Sequence, residues 1–197
     1  MTTWAILAPG PSATAAQAQL VHEAGIPIGA VGCAYQLAPM ARFVASSDRA
    51  WWRNYPAAFK FPRRYSMISL PDVEQVKIDG MESCVNSGVL GLEIAKRMGA
   101  TTILLLGCDM RGSHFFGAYT NGLRNASASQ RKQHMQQYVR WGLLNRAVQV
   151  INCTQNSALT CFPASRLETE IERCVPPAPV LTASGQVLAS GETEEAV

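Results

Sequence analysis

Four short stretches of this chain place reactive or ligand-binding residue types where a strand gives way to a helix. In the first, the run Thr3–Ala8 ends in Pro9-Gly10-Pro11-Ser12. Gly10 allows the backbone to come close to a ligand and Pro11 suits a first helical turn. The unpaired N–H groups of a helix start attract anions such as phosphate. The chain carries neither G-x-G-x-x-G nor G-x-x-x-x-G-K-[ST], which disfavours an ordinary dinucleotide site or P-loop ATPase. The second stretch is Asn86-Ser87-Gly88, where either polar residue is a natural N-cap. The third, Gly107-Cys108-Asp109-Met110, sets Asp109 just past an apolar run that reads as a buried parallel strand. Asp48 stands in the same relation to an earlier strand, so the two carboxylates are candidate bases, ribose ligands, metal ligands or helix caps. The fourth, Asn152 to Leu159, is a polar turn whose Asn152, Thr154 and Ser157 offer donors and acceptors to a base or sugar, and which are also good turn formers.

Of the three histidines, His114 has the strongest case for proton transfer. It lies in Gly112-Ser113-His114-Phe115-Phe116-Gly117-Ala118-Tyr119, on a long connection just beyond Asp109, where a lid could bring an imidazole over a substrate. His22 falls inside the first helix. His134 is expected on the solvent side of a later one and is the second candidate. The six cysteines form no C-x-x-C pair and sit mostly in apolar segments, so they are expected to be small buried hydrophobes rather than a zinc site or disulfide framework.

The elements that must position these residues alternate β-rich runs with helical periodicity, predicting an α/β fold with a mostly parallel twisted sheet flanked by helices. Strands are expected at 3–8, 28–32, 42–45, 64–69, 102–106 and 147–153. Helices are expected at 12–23, 49–55, 86–98, 129–145 and 167–174, with a tight turn or short 3₁₀ segment at 157–162. Leu90, Ile94 and Met98 form one helical stripe, closed by Gly99, and Met135, Val139 and Leu143 form another. The connection from Gly107 to about Ser127 is long enough to be functional.

Length and composition bound the rest. The 197 residues, 48% hydrophobic and 16% charged, suit one domain with a buried core and rule out a disordered chain or a coiled coil. Residues 1–175 are expected to be that domain, and 176–197, opened by Pro-Pro-Ala-Pro, a poorly ordered acidic tail. The net charge of +3 averages an uneven distribution: all 17 basic residues precede Pro176, while Glu192, Glu194 and Glu195 follow it. Between Met110 and Leu167 there is no acid, against seven Lys and Arg. Between Arg42 and Arg64 six basic residues face Asp48 alone, interleaved with Trp51, Trp52, Tyr55, Phe59 and Phe61. Basic patches with aromatics can track a nucleic-acid backbone and stack on bases, so nucleic acid is a candidate partner through Arg42–Arg64 and Arg111–Arg146. No apolar run is long enough for a membrane span and no signal-peptide pattern opens the chain, so an intracellular, cytoplasmic protein with reduced thiols is expected. A homo-oligomer is left open.

Taken together and in order, Ile6-Leu7-Ala8-Pro9-Gly10-Pro11-Ser12, Asn86-Ser87-Gly88, Leu105-Leu106-Gly107-Cys108-Asp109 and Asn152 to Leu159 resemble the glycosyltransferase-like superfamily. That superfamily holds the bacterial sialyltransferases of glycosyltransferase family 42, 6-hydroxymethylpterin diphosphokinase-like domains and short phage-encoded members. The segments 38–52 and His114-Phe115-Phe116-Gly117 look closest to the last. The resemblance covers about residues 3–172 and implies a Rossmann-like domain that transfers a group from a nucleotide-activated, CMP-sugar-like donor, with no metal or other cofactor required. Gly10, Pro11 and Ser12 would cradle the donor phosphate, with Asp48, Asn86, Ser87, Gly88 and Tyr119 along the nucleotide and Asn152 and Ser157 at the nucleoside. His114 would be the base or lid group, with Asp109 the alternative base. Pro9, Cys33 and Asp48 stand where the sialyltransferases carry asparagines that read cytidine and phosphate. The same fold also accommodates a pterin-type diphosphokinase using ATP and magnesium held by Asp48 and Asp109, or a non-catalytic nucleic-acid or assembly factor.

Overall fold

A computed structural model describes residues 2–81 and 85–174. Cys84 and the expected acidic tail lie outside the described residues. The chain runs β1 (Thr3–Leu7), α1 (Ala15–Glu23), β2 (Ile28–Val31), β3 (Phe43–Ala45), α2 (Arg49–Asn54), β4 (Arg64–Ser66), β5 (Glu74–Gln75), α3 (Ser87–Arg97), β6 (Thr102–Leu106), α4 (Ala128–Leu144), β7 (Gln149–Asn152) and α5 (Leu167–Cys174). Its seven strands form one sheet in the order β5-β4-β3-β2-β1-β6-β7, every pairing parallel. The fold is α/β, a single Rossmann-like domain.

Alternation along the strands feeds two cores. Trp4 and Ile6 of β1 and Ile103 and Leu105 of β6 join α3 and α4 on one face. Ala5, Leu7, Leu104 and Leu106 join α1, α2 and α5 on the other. Burial on both faces is why β6 reads as an unbroken apolar run. The chain lays β1 to β5 outward on one side, then returns through α3 to place β6 on the other side of β1. The loops leaving β1 and β6 therefore part at their carboxyl ends, which is the topological switch point where open α/β sheets bind ligands.

Both outer edges of the sheet are short or covered. β5 is a two-residue polar strand. Beside β7, Asn152 forms an isolated bridge to Ala164, its N–H donating to the Pro163 carbonyl and its carbonyl accepting from Ser165 N–H.

Three expectations are corrected. The first helix begins at Ala15, not Ser12: Thr14 and Gln17 form a reciprocal capping box, so Pro11 and Ser12 lie in the preceding turn. β5 was not expected, being two residues long. On α4 the apolar stripe is not the buried one. Tyr138 and Trp141 fill the core, while Val139 is 44% and Leu143 60% exposed. The large aromatics at i, i+3 win because each covers more apolar area than Met135, Val139 or Leu143. Leu143→Gln is accordingly expected to change stability by less than about 0.5 kcal/mol, read from the urea midpoint. A loss of 2 kcal/mol or more, the order of a core truncation, would put Leu143 back in the core.

α4 is fastened to α3 near its carboxyl end. Buried Glu93 takes Lys96 at 2.6 Å and Arg97 at 2.8 Å, and accepts from Trp141 Nε1–H at 3.0 Å. Lys96 Nζ also donates to Asn145 Oδ1 at 2.8 Å.

Candidate functional site

A cavity of about 240 Å³ opens at the switch point. Pro9 and Gly10 come to it from the β1 loop, Asn86, Ser87 and Gly88 from the start of α3, and Arg131, His134 and Tyr138 from α4. The loop leaving β6 contributes Asp109, Arg111, His114 and Tyr119. Gly10, Asn86, Ser87, Gly88, Asp109, His114 and Tyr119, which come from separate stretches of the sequence, thus share one cavity.

Asp109 is 5% exposed and oriented from one side. Ser12 donates to its Oδ2 through both Oγ–H at 2.9 Å and N–H at 3.3 Å. Among the described residues its hydrogen bonds with other side chains all fall on Oδ2. The roles of Gly10 and Ser12 are therefore internal first. Gly10 lies so tight against the Gly107 carbonyl and the Asp109 carboxylate that no Cβ fits there. Pro11 is exposed and does not line the cavity. Gly88 leaves room for the Tyr138 hydroxyl in the same way. Asn86 caps α3, its Oδ1 accepting from Gly88 N–H at 3.0 Å and Val89 N–H at 3.1 Å, which uses two of the helix's free donors.

His114 sits on a pinned turn. Its N–H and carbonyl pair with those of Gly117, and Phe115 N–H donates to the Pro9 carbonyl at 3.0 Å, tying the turn to the β1 loop. The imidazole stacks on Phe116 with ring centroids 4.9 Å apart and planes 5° from parallel, and Tyr119 lies 4.6 Å from it. Nδ1 is closed off from solvent and makes no hydrogen bond among the described residues. Burial holds this imidazole below its ordinary range, with the Gly117 carbonyl working in the opposite direction. Burial also pushes Tyr119 up, reinforced by Cys33, whose Sγ lies 3.6 Å from the phenol oxygen.

His134 is not on the solvent side. It is half-buried and lines the cavity, and burial lowers its pKa as well. Arg131 beside it was visible only as one charge among many. Its Nη1 donates to the carbonyls of Ala126 at 2.6 Å and Gly112 at 3.4 Å, closing the loop onto α4. Residues 131, 134 and 138 recur at helical spacing, the signal that could have found this wall.

Two neutral imidazoles carry a consequence for pH. Just below the unfolded value of about 6.5 the native state binds fewer protons than the unfolded chain, so stability falls as pH drops through that point. His114→Gln combined with His134→Gln is expected to flatten the decline between pH 7 and 5 in urea titrations. An unchanged slope would show that other groups set it.

The remaining candidates lie elsewhere. Asp48 is exposed and caps α2, its Oδ1 accepting from Ala50 N–H at 2.7 Å and Trp51 N–H at 3.3 Å. It does not line the cavity that Asp109 lines, so the two carboxylates are not brought together as a metal pair. Among the described residues no group of three His, Cys, Asp or Glu side chains could hold a metal ion. Asn152 is buried, donating to the Leu159 carbonyl at 2.9 Å and accepting from Thr154 N–H at 3.1 Å. Ser157 donates to the Cys108 carbonyl at 2.6 Å. Both shape the turn after β7, and neither reaches the cavity.

In the 42–64 stretch, Trp51 and Trp52 are core residues, donating to Cys33 Sγ and the Ser46 carbonyl, so they present no surface on which a base could stack. Arg64 is spent on the carbonyls of Phe59, Phe61 and Asp72. Cys33, Cys108 and Cys153 are buried as expected, Cys174 is partly so, and Cys161 is exposed. Burial pushes the Cys108 thiol up to about 12, which removes it as a nucleophile beside Asp109. Among the described residues no helix is long and apolar enough to cross a membrane.

Compared with known proteins, the chain matches no family model, no curated protein and no solved structure.

Proposed function

We propose that the protein is a transferase of glycosyltransferase type that takes a nucleotide-activated, CMP-sugar-like donor into the switch-point cavity. One observation supports this above the rest: an oriented carboxylate, two imidazoles kept neutral by burial and two guanidinium groups with no ion pair among the described residues converge on one cavity at the carboxyl end of a parallel sheet. Arg111 and Arg131 suit the donor phosphate, which takes up negative charge as its bond to the transferred group breaks. His114 accepts the acceptor hydroxyl proton at Nε2 while the acceptor oxygen forms the new bond and the nucleotide leaves as its phosphate. Asp109, fixed by Ser12, orients the acceptor or replaces His114 as base.

Thermal shift against a panel of nucleotides and nucleotide sugars tests the premise. A true donor at a hundred times its Kd stabilises by about 2.7 kcal/mol, or roughly 5–11 °C for a domain of this size. No shift with any member at millimolar concentration would sink the assignment.

A further inference from the structure

We infer that the lip of this cavity binds single-stranded nucleic acid, with Phe116 as a stacking shelf and the basic side chains around it following the strand. As the acceptor of the reaction, the strand rests on the transferase assignment; as a ligand of the lip, it does not.

The charge at the lip exceeds what a nucleotide donor needs. Arg111 and Arg131 line the cavity and suffice for a donor phosphate. Arg124, Lys132 and Arg140 do not line it, yet each is exposed and none forms an ion pair among the described residues. No acid between Met110 and Leu167 can neutralise them. Lys132 and Arg140 point to other sides of α4 than Arg131, His134 and Tyr138, so the excess charge at the lip is that of Arg124. Arg124 precedes Asn125, itself a cavity residue. A third cation beside a cavity that already holds Arg111 and Arg131 matches an extended polyanion better than a single small anion.

The aromatic component selects the kind of polyanion. Phe116 is 37% exposed although it stands in a built cluster: stacked on His114, edge-on to Phe115 at 5.0 Å and 5.2 Å from Tyr119. The turn holding it is fixed at both ends, by the His114–Gly117 pair and by the Phe115–Pro9 hydrogen bond. A fixed, partly exposed ring packed on two residues of a cavity that Arg111 and Arg131 also line offers a stacking partner to an unpaired base, which a duplex keeps within its own stack. Among the described residues the other large exposed apolar side chains of this region, Val139, Leu143 and Leu144, lie on the carboxyl half of α4, so Phe116 stands alone as the exposed ring of its loop.

Fluorescence anisotropy with labelled 20-nucleotide oligo-dT and oligo-rU, and with a duplex of the same length, tests this between 50 and 300 mM NaCl. Single strands are expected to bind with log K falling linearly in log salt. Arg124→Ala should lower that slope by about 0.7. Phe116→Ala, a loop variant that removes no core side chain, should weaken binding about 5- to 100-fold with the slope unchanged. No binding at 50 mM salt, tighter binding to the duplex, or an unaffected Phe116→Ala overturns the inference. In the last case the lip is a charged face without a stacking site. If oligonucleotides bind while the nucleotide panel gives no thermal shift, the surface stands and the transferase assignment falls. The converse result removes the nucleic-acid acceptor alone.

Discussion

Gly10→Ala is expected to destabilise the protein by about 3 kcal/mol, lowering Tm by roughly 6–12 °C. The added methyl has no place to go. It meets the backbone carbonyl of Gly107 and the carboxylate of Asp109, and Gly10 N–H already donates to that carbonyl at 3.0 Å. Flexible side-chain tips can move aside, but a carbonyl held between two adjacent parallel strands can do so only by separating the loops after β1 and β6. Those loops form the floor of the cavity, so the variant should also lose the Ser12–Asp109 hydrogen bonds and any donor binding. Gly25→Ala is the control, because Gly25 has open space around it and costs only its left-handed backbone, φ 72°, or about 1 kcal/mol. Equal losses in the two variants would show that the contact with Gly107 relaxes and that Gly10 is an ordinary turn glycine.

If the proposed transferase reaction is the protein's own, His114→Ala is expected to reduce turnover about 10²- to 10⁴-fold, the range that a positioned general base supplies, with donor Kd within about twofold of the parent. Alanine also removes the ring on which Phe116 stacks, so His114→Phe is the necessary companion. Phenylalanine keeps a flat ring against Phe116 and abolishes both nitrogens. Equal loss in the two variants assigns the effect to proton transfer. Recovery in His114→Phe would make the imidazole a prop, and full turnover in His114→Ala would move the base to His134 or Asp109. His134→Ala, one turn from the Arg131 that the proposal assigns to the donor phosphate, is expected to raise KM more than it lowers kcat.

Segments with redundant local signals were readable from the sequence. β6 and α5 fall on the expected residues because an apolar run and an amphipathic turn each define their own ends. α3 begins one residue from its expected start, at the cap the side chain of Asn86 supplies. Where the outcome depended on a distant partner, the sequence misled. Ser12 has the type and position of an N-cap, but Asp109, 97 residues away, takes both of its donors and the capping box two residues on starts the helix. On α4, helical spacing alone does not say which of two apolar faces has a core to meet, and the face that buries Tyr138 and Trp141 is also the one that brings Arg131 and His134 to the cavity. Asn152 and Ser157 share residue types with ligand-reading turns, yet their hydrogen bonds are spent on the backbone around them. Seven of the twelve candidate side chains and backbone positions still met at one cavity, because each of the seven follows a strand or opens a helix at the carboxyl side of the sheet.

The two guarded sheet margins determine how this chain behaves when crowded. A neighbouring molecule looking for a strand to pair with finds two residues of Glu and Gln at β5, and beyond β7 finds Asn152 already paired with the 163–165 segment. Ribbon-like extension from one copy to the next is therefore disfavoured by a two-residue edge on one side and by a four-residue edge whose last residue is already paired on the other. Assemblies of the folded protein are left to helix and loop surfaces, so a concentrated sample should stay free of thioflavin-positive fibres for as long as the native state persists.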